Sequence, residues 1–377
     1  MKRAAQVLSA AVLLCLPVLS GCGLFIYPDL VAADELTGVA AFDPNDYGFS
    51  INFQKIESED PQAQNYVLDF EGEDIFKVHQ ALPVTADYVR FAKSAETKGR
   101  IGKRTYRVLF DSGNSILPHI TPAHIVENQL PVYSVAISPR DEQVWNFGIA
   151  LIDELNIAGL SITQLPATYN LTYTSYQLFG LGFAEVGKDK TINLSLSVMQ
   201  EFSYIAFDSR DKKMRLSLDE PFVPDTPADW KSYPFIATDD NRLFIHSTLE
   251  GVPVTLMIDT GSETQLLLTK SCFDRLAESQ PNLNYGWKFD RSGFAPLAGG
   301  YFPVQSRTIR GLTFDRSTYK GSTNVGIVDD GLIDDFLDEN QFDGLIGFPF
   351  FDETVMVLDF ENNLLWVKKA KGSRFER

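Results

Sequence analysis

YRVLFDSG at 106–113 recurs 148 residues later as VTLMIDTG at 254–261. Each stretch is an apolar run that ends in an acidic residue, Asp111 or Asp259, followed by a small hydroxyl residue and a glycine, Ser112-Gly113 or Thr260-Gly261. The β-branched and aromatic content of the runs reads as strand, and the Asp-Ser-Gly and Asp-Thr-Gly triplets read as the turns that close them. More apolar residues follow, Ile116-Leu117 in one copy and Leu266-Leu267-Leu268 in the other, so each carboxylate is clamped between strands and expected to be partly buried. An ionised carboxylate in such a place is costly unless donors or a partner compensate it.

The repeat reaches beyond the turns. Ten residues past each Asp stands a threonine suited to cap a short helix, Thr121 before PAHIVEN and Thr269 before KSCFDRLAES. Later, SYIAFDSRDKKMRLSL at 203–218 matches TVMVLDFENNLLWVKK at 354–369 and aligns Asp208 with Asp359 at a spacing of 151. A unit this long that occurs twice indicates duplicated lobes rather than a repeat array. A chain of 377 residues also exceeds the usual reach of a single core. The expected fold is all-β and bilobal with a central cleft. Its N-terminal lobe spans 46–220 and carries the first Asp turn, and a linker over 221–232 is stiffened by Pro221, Pro224 and Pro227. The C-terminal lobe spans 233–377 and carries the second turn.

Two carboxylates placed face to face across a pseudo-twofold axis cannot both ionise comfortably, so they share one proton. The ionised member is then a general base for a water held between them, and the protonated member a donor to a carbonyl oxygen as charge develops there. Gly113 and Gly261 let backbone N–H groups approach the carboxylates. The Ser112 and Thr260 hydroxyls are expected to bond across the lobe interface as supports rather than reactants.

VLFDSGNSIL and MIDTGSETQLLL resemble the paired active-site motifs of pepsin-like and retroviral-type (retropepsin-like) aspartic proteases. DGLIGF at 343–348 is similar to the family's second signature, two apolar residues and a glycine that pack behind the catalytic loop; Leu178-Phe179-Gly180 is its expected equivalent in the first half. The resemblance covers most of 100–218 and 240–369. It implies an aspartic-type endopeptidase with Asp111 and Asp259 as catalytic residues, no cofactor, no metal and a peptide or protein substrate between the lobes. It also implies a monomer, since duplication supplies internally what the retroviral-type enzymes obtain by dimerising. Three features depart from the pattern. Asn114 stands where Ser, Thr or Ala is usual, which is expected to alter hydrogen bonding to Asp111. The expected flap hairpin, Tyr133 to Ala150 with its tip near Ser138-Pro139-Arg140-Asp141, lacks the aromatic before the tip and carries Trp145 and Phe147 on its return strand. The segment 47–104 has three open readings: an elaborated first strand, a cleft cover or a propeptide-like piece. A second function from another class also stays open, a catalytically silent lipoprotein that holds an extended peptide in the same cleft by strand addition.

The start of the chain is a different kind of segment. MKRAAQVLSAAVLLCLPVLSGC places Lys2 and Arg3 before an apolar stretch too short to span a bilayer, which reads as an export signal over 1–21. Its end, Leu19-Ser20-Gly21-Cys22, resembles the lipobox of bacterial lipoproteins, implying lipidation of Cys22, a tether over 22–45 and a membrane as partner. Gly23 in place of Asp after that cysteine implies the periplasmic face of the outer membrane. With Cys15 in the signal and Cys22 carrying lipid, Cys272 is left without a cysteine to pair with and is expected to be a small buried apolar residue. The formal charge is −17, and loss of the signal leaves 31 basic against 50 acidic side chains, a balance of −19 that repels phosphate and argues against nucleic acid. His79, His119, His124 and His246 show no metal-ligand spacing, and the acidic run from Asp329 to Asp343 lacks the Gly and Glu positions of a calcium loop.

Overall fold

The computed structural model describes residues 26–32, 36, 39–56, 65–72, 75–80, 83–91, 94–115, 117–137, 145–170, 172–178, 181–186, 190–238, 241–281, 291–297, 300–315, 317–319, 322–329, 342–368 and 375–376. The expected export signal, Cys22, the tip of the expected flap and the acidic residues 330–341 lie outside the described residues.

The chain folds as two β lobes joined through a shared antiparallel sheet, the all-β bilobal architecture that the repeat implied. The sheet is built by the two closing hairpins. Tyr204–Asp208 pairs with Lys213–Ser217 in the first half, and Val355–Asp359 pairs with Leu364–Lys368 in the second. The inner strands of the two hairpins then pair with each other, from Tyr204 opposite Asp359 to Asp208 opposite Val355. This register is its own image under the 151-residue repeat, since moving Tyr204 and Asp208 along by one unit gives Val355 and Asp359. The flanks match too: Val84–Phe91 adds to one edge and Trp230–Ala237 to the other. Pro234 sits in that outer strand, where a missing N–H costs no ladder bond. One hydrophobic core runs from Ala86 through Phe207, Phe348 and Val367, so the halves share their interior across the sheet. Phe207 and Phe348 meet edge to face with ring centres 5.5 Å apart, a favoured aromatic geometry.

Inside each lobe the same path is drawn twice. Val84–Phe91 turns into Ser94–Ile101 and then Arg104–Phe110, while Trp230–Ala237 turns into Leu243–Leu249 and then Val252–Asp259. Residues 84–101 are therefore the first lobe's opening strands rather than a cleft cover or a removable piece. Upstream, Phe49–Ile56 and Asn65–Gly72 form a separate hairpin. Phe42 and Phe49 bury against Ile149 and Leu151, and the Val132 N–H donates to the Ala40 carbonyl at 2.8 Å, so the chain from Ala40 to Phe49 braces the base of the expected flap. Ile26–Ala32 pairs with Thr172–Leu178, which makes part of the expected 22–45 tether a strand of the first half. The linker also ends earlier than 232, because the Trp230–Ala237 strand begins inside it. Trp230 is tied back to Asp225 through its indole N–H at 2.8 Å.

Candidate active site

The strands that deliver the two aspartates alternate inward and outward as the apolar pattern requires. Tyr106, Val108 and Phe110 are buried on Arg104–Phe110, and Val252, Val254, Leu256 and Ile258 on Val252–Asp259. Each strand is held by a return strand running parallel to it. In the second half this is Gly344–Gly347, with Ile346 beside Ile258 and Gly347 beside Asp259. In the first half it is Thr191–Leu194, with Asn193 beside Leu109 and Leu194 beside Phe110. Leu178-Phe179-Gly180 does not hold this place: Leu178 ends a strand paired with Ile26–Ala32 and Leu181–Val186, and Phe179 and Gly180 lie outside the described residues. The physical reason is topological, since only a strand parallel to the Asp strand can pack behind its turn, and Thr172–Leu178 belongs to another sheet.

At the strand ends the chain turns in the same way twice. The Asn114 N–H donates to the Asp111 carbonyl at 3.2 Å and the Ser262 N–H to the Asp259 carbonyl at 3.3 Å. Between the turns the hydroxyls cross over. Thr260 Oγ1 donates to the Phe110 carbonyl at 2.6 Å and accepts from the Ser112 N–H at 3.0 Å. Ser112 Oγ donates to the Ile258 carbonyl at 2.8 Å and accepts from the Thr260 N–H at 3.0 Å. Both side chains are essentially inaccessible to solvent. Four bonds among buried groups thus lock one turn to the other, and each would leave an unsatisfied polar group if removed.

This lattice brings the two carboxyl groups together. A Cβ on Gly113 would stand 2.7 Å from the Asp259 carboxyl carbon, and one on Gly261 would stand 2.3 Å from that of Asp111. Each glycine is thus required by the carboxyl group of the opposite lobe, a sharper role than admitting N–H donors alone. Those donors are present too. The Gly113 N–H reaches Asp111 Oδ1 at 2.9 Å, and the Gly261 and Ser262 N–H groups both reach Asp259 Oδ1 at 2.9 Å. Burial, and then the charge of Asp111 beside it, push the Asp259 carboxyl well above the usual carboxylate range.

Behind the turns the halves differ. Gly347 packs so closely that a Cβ there would lie 1.9 Å from the Thr264 carbonyl oxygen. The first half puts Ser195 at the end of its return strand, with its hydroxyl 2.8 Å from that of Ser197. Asn114 does not touch Asp111 with its side chain: its amide donates to the Leu117 carbonyl at 3.0 Å and to Asn193 Oδ1 at 3.4 Å. Asn193 makes the contact instead, donating from Nδ2 to Asp111 Oδ2 at 2.7 Å. No motif points to Asn193, and neither repeat spacing carries Leu345 onto it; the equivalence comes from strand pairing, with Asn193 beside Leu109 and Leu345 beside Met257.

The remaining candidates are scattered or committed elsewhere. The four histidines stand on four different elements, and no group of three His, Cys, Asp or Glu side chains converges among the described residues. Asp343 accepts from the Thr255 N–H at 2.8 Å and from Arg275 at 2.6 Å. Cys272 is buried in the first turn of the Lys270–Ser279 helix, where its N–H donates to the Thr269 hydroxyl at 3.1 Å. The hairpin expected as a flap is seen in its stem, Val132–Ile137 against Trp145–Ala150.

No family model matches the chain, and no curated protein matches it. Among solved structures it is similar to an aspartic proteinase from Irpex lacteus, at 11% identity over 76% of this chain and 97% of that one, with a TM-score of 0.42. It is similar also to basic 7S globulin from soybean, at 10% identity over 77% of this chain and 95% of that one, with a TM-score of 0.43.

Proposed function

We propose that the chain is an aspartic-type endopeptidase that hydrolyses peptide bonds with a water activated between Asp111 and Asp259. The observation that carries this reading is the reciprocal Ser112–Thr260 lattice, which holds the two carboxyl groups side by side. A peptide-binding cleft needs no such pair, and two like charges held together cost stability unless a proton is shared. Asp259, whose carboxyl is pushed up by burial and by its neighbour, carries the proton and gives it to the scissile carbonyl oxygen. Asp111 takes a proton from the water as its oxygen bonds to the carbonyl carbon, giving a neutral gem-diol. Return of the proton from Asp111 to the amide nitrogen and of the gem-diol proton to Asp259 breaks the C–N bond and restores the pair. No covalent intermediate is formed. Lipidation at Cys22 and a place on the periplasmic face of the outer membrane complete the proposal; their support is the sequence Leu19-Ser20-Gly21-Cys22-Gly23 alone.

The test is incubation of the full chain, in detergent, with a peptide library from pH 3 to 7. Cleavage that disappears in both Asp111→Asn and Asp259→Asn supports the endopeptidase; cleavage that survives either removes it. Peptide binding without cleavage by the wild type would make the chain a silent binding protein instead.

A further inference from the structure

We propose that Asn193 is a positioning residue: its amide fixes Asp111 as the ionised member of the pair, and Asn114 holds that amide in place. The inference rests on the carboxylate-pair reading above and asks how a nearly symmetric pair decides which member keeps the proton.

Position is the first argument. Asn193 lies beside Leu109 on the return strand of the first half, and the matching place in the second half, beside Met257, is Leu345, a buried apolar residue. A side-chain amide therefore stands behind one aspartate and a hydrocarbon behind the other. Contact geometry is the second. At 2.7 Å, the Asn193 Nδ2 to Asp111 Oδ2 bond has the length expected of an N–H donor on a charged oxygen. An asparagine amide reads either way round unless its oxygen is engaged; Asn114 engages it, offering Nδ2 to Asn193 Oδ1 while a second bond to the Leu117 carbonyl anchors Asn114 itself.

The distribution of donors makes the third. On Asp111 each oxygen accepts an N–H, Oδ1 from Gly113 and Oδ2 from Asn193. On Asp259 both N–H donors, Gly261 and Ser262, fall on Oδ1, and among the described residues no N–H donor reaches Oδ2. An oxygen that already accepts an N–H is a poor site for a proton, whereas Asp259 Oδ2 is open to carry one. Each carboxyl group accepts two N–H donors, so their number is even; their placement leaves an oxygen open on Asp259 alone, and this biases the pair toward Asp111 ionised and Asp259 protonated. The direction in which burial and the Asp111 charge move Asp259 agrees.

The other titratable and charged groups around Asp111 do not provide the bias. On its own strand Arg107 is turned to Glu96 at 3.2 Å. From the opposing turn comes Asp259, and from the neighbouring strand His119, which stands opposite Asn193 and shares its Nδ1 with the Thr168 hydroxyl at 3.2 Å. The rest of Thr191–Leu194 and the Leu196–Met199 helix behind it carry no charge.

The test is a titration of the full chain in detergent, with aspartate carboxyl carbons labelled and followed by NMR, so that the readout needs no turnover. In the wild type the pair titrates in two steps that belong to the pair as a whole. Asn193→Leu and Asn193→Ser are each expected to raise the lower step by about one pH unit, and Asn114→Ser to raise it by less. The serine variant keeps the test open if the leucine variant does not fold. In a cleavage assay the acid limb of kcat/KM should move by the same amount with KM unchanged, which a merely structural role would not produce. A lower step that stays in place or falls in folded Asn193→Ser protein overturns the proposal. A wild type that titrates as described but cleaves nothing overturns the proposed function and leaves this inference standing.

Discussion

Behind the Asp259 turn stand Ser262, Leu345 and Gly347; behind the Asp111 turn, in the same three places, stand Asn114, Asn193 and Ser195. In front of the turns the halves are near copies, with one hydroxyl from each side donating to a carbonyl of the other at 2.6 and 2.8 Å. The contrast separates two jobs. Holding two strands at a fixed spacing is done by backbone groups and a pair of hydroxyls, and this leaves little latitude. Setting the electrostatics of each carboxyl group is done from behind, where an amide serves on one side and close apolar packing on the other.

The most drastic way to break the comparison is to remove either carboxylate. If the halves are unequal partners in one reaction, Asp111→Asn and Asp259→Asn should each lower kcat/KM at least about 10³-fold, measured on a fluorogenic peptide, since the two groups act as a unit. A large difference in stability is expected at the return strands. Gly347→Ser should cost roughly 3 kcal/mol or more in urea unfolding, because its Cβ would meet a backbone carbonyl that cannot move aside, whereas Ser195→Gly should cost less than about 1 kcal/mol.

The hydroxyl lattice should instead show the halves as equals. Ser112→Ala and Thr260→Ala each strand a buried N–H and a carbonyl of the opposite turn, at about 2 kcal/mol each, and the double variant should cost less than the sum. A pH effect of definite sign follows from Asp259. Its folded-state carboxyl binds a proton more tightly than in the unfolded chain, so the native state is favoured below the ordinary carboxylate range and loses that advantage as pH rises through the raised value. Asp259→Asn should therefore raise Tm at pH 7 and change it little at pH 3, a gain in stability where activity is lost. The smallest effect lies at the linker. Lys368 and then Trp230 hold Asp225 at about 2, so its contribution is present above the ordinary aspartate range and fades as pH falls through about 2. Asp225→Asn should lower Tm at pH 6 by no more than about 1 °C, as expected of an exposed pair.

Much of this was legible in the chain itself, and the reason is the duplication. Two copies of an Asp turn, two capped helices and two closing hairpins at spacings of 148 and 151 residues carry the fold class, the lobes and the aspartates that meet. The first-half return strand was not found at Leu178-Phe179-Gly180, because two apolar residues and a glycine are a weak pattern and the true strand, Thr191–Leu194, has no glycine at its end. Neither repeat spacing, applied to Leu345-Ile346-Gly347, leads to Asn193-Leu194-Ser195; only the pairing of each return strand with its Asp strand equates them. Residues 84–101 escaped for a related reason: their match to Trp230–Leu249 lies in hydrophobic alternation and pairing partners, with few identical residues to reveal it. Asn114 was visible as a departure from the family pattern. Its consequence was not, since it acts through a residue far along the chain that only the folded sheet brings beside it.

The strand pair at the centre of the shared sheet, Tyr204–Asp208 against Val355–Asp359, has the register that two copies of one half would adopt on meeting about an axis. In an assembly of identical chains every substitution is written on both sides at once, so an asparagine behind one carboxyl group would face its own duplicate behind the other. Here the two sides are spelled by separate stretches of one gene product. Each can mutate alone, and a site that began with interchangeable members is free to acquire a handedness.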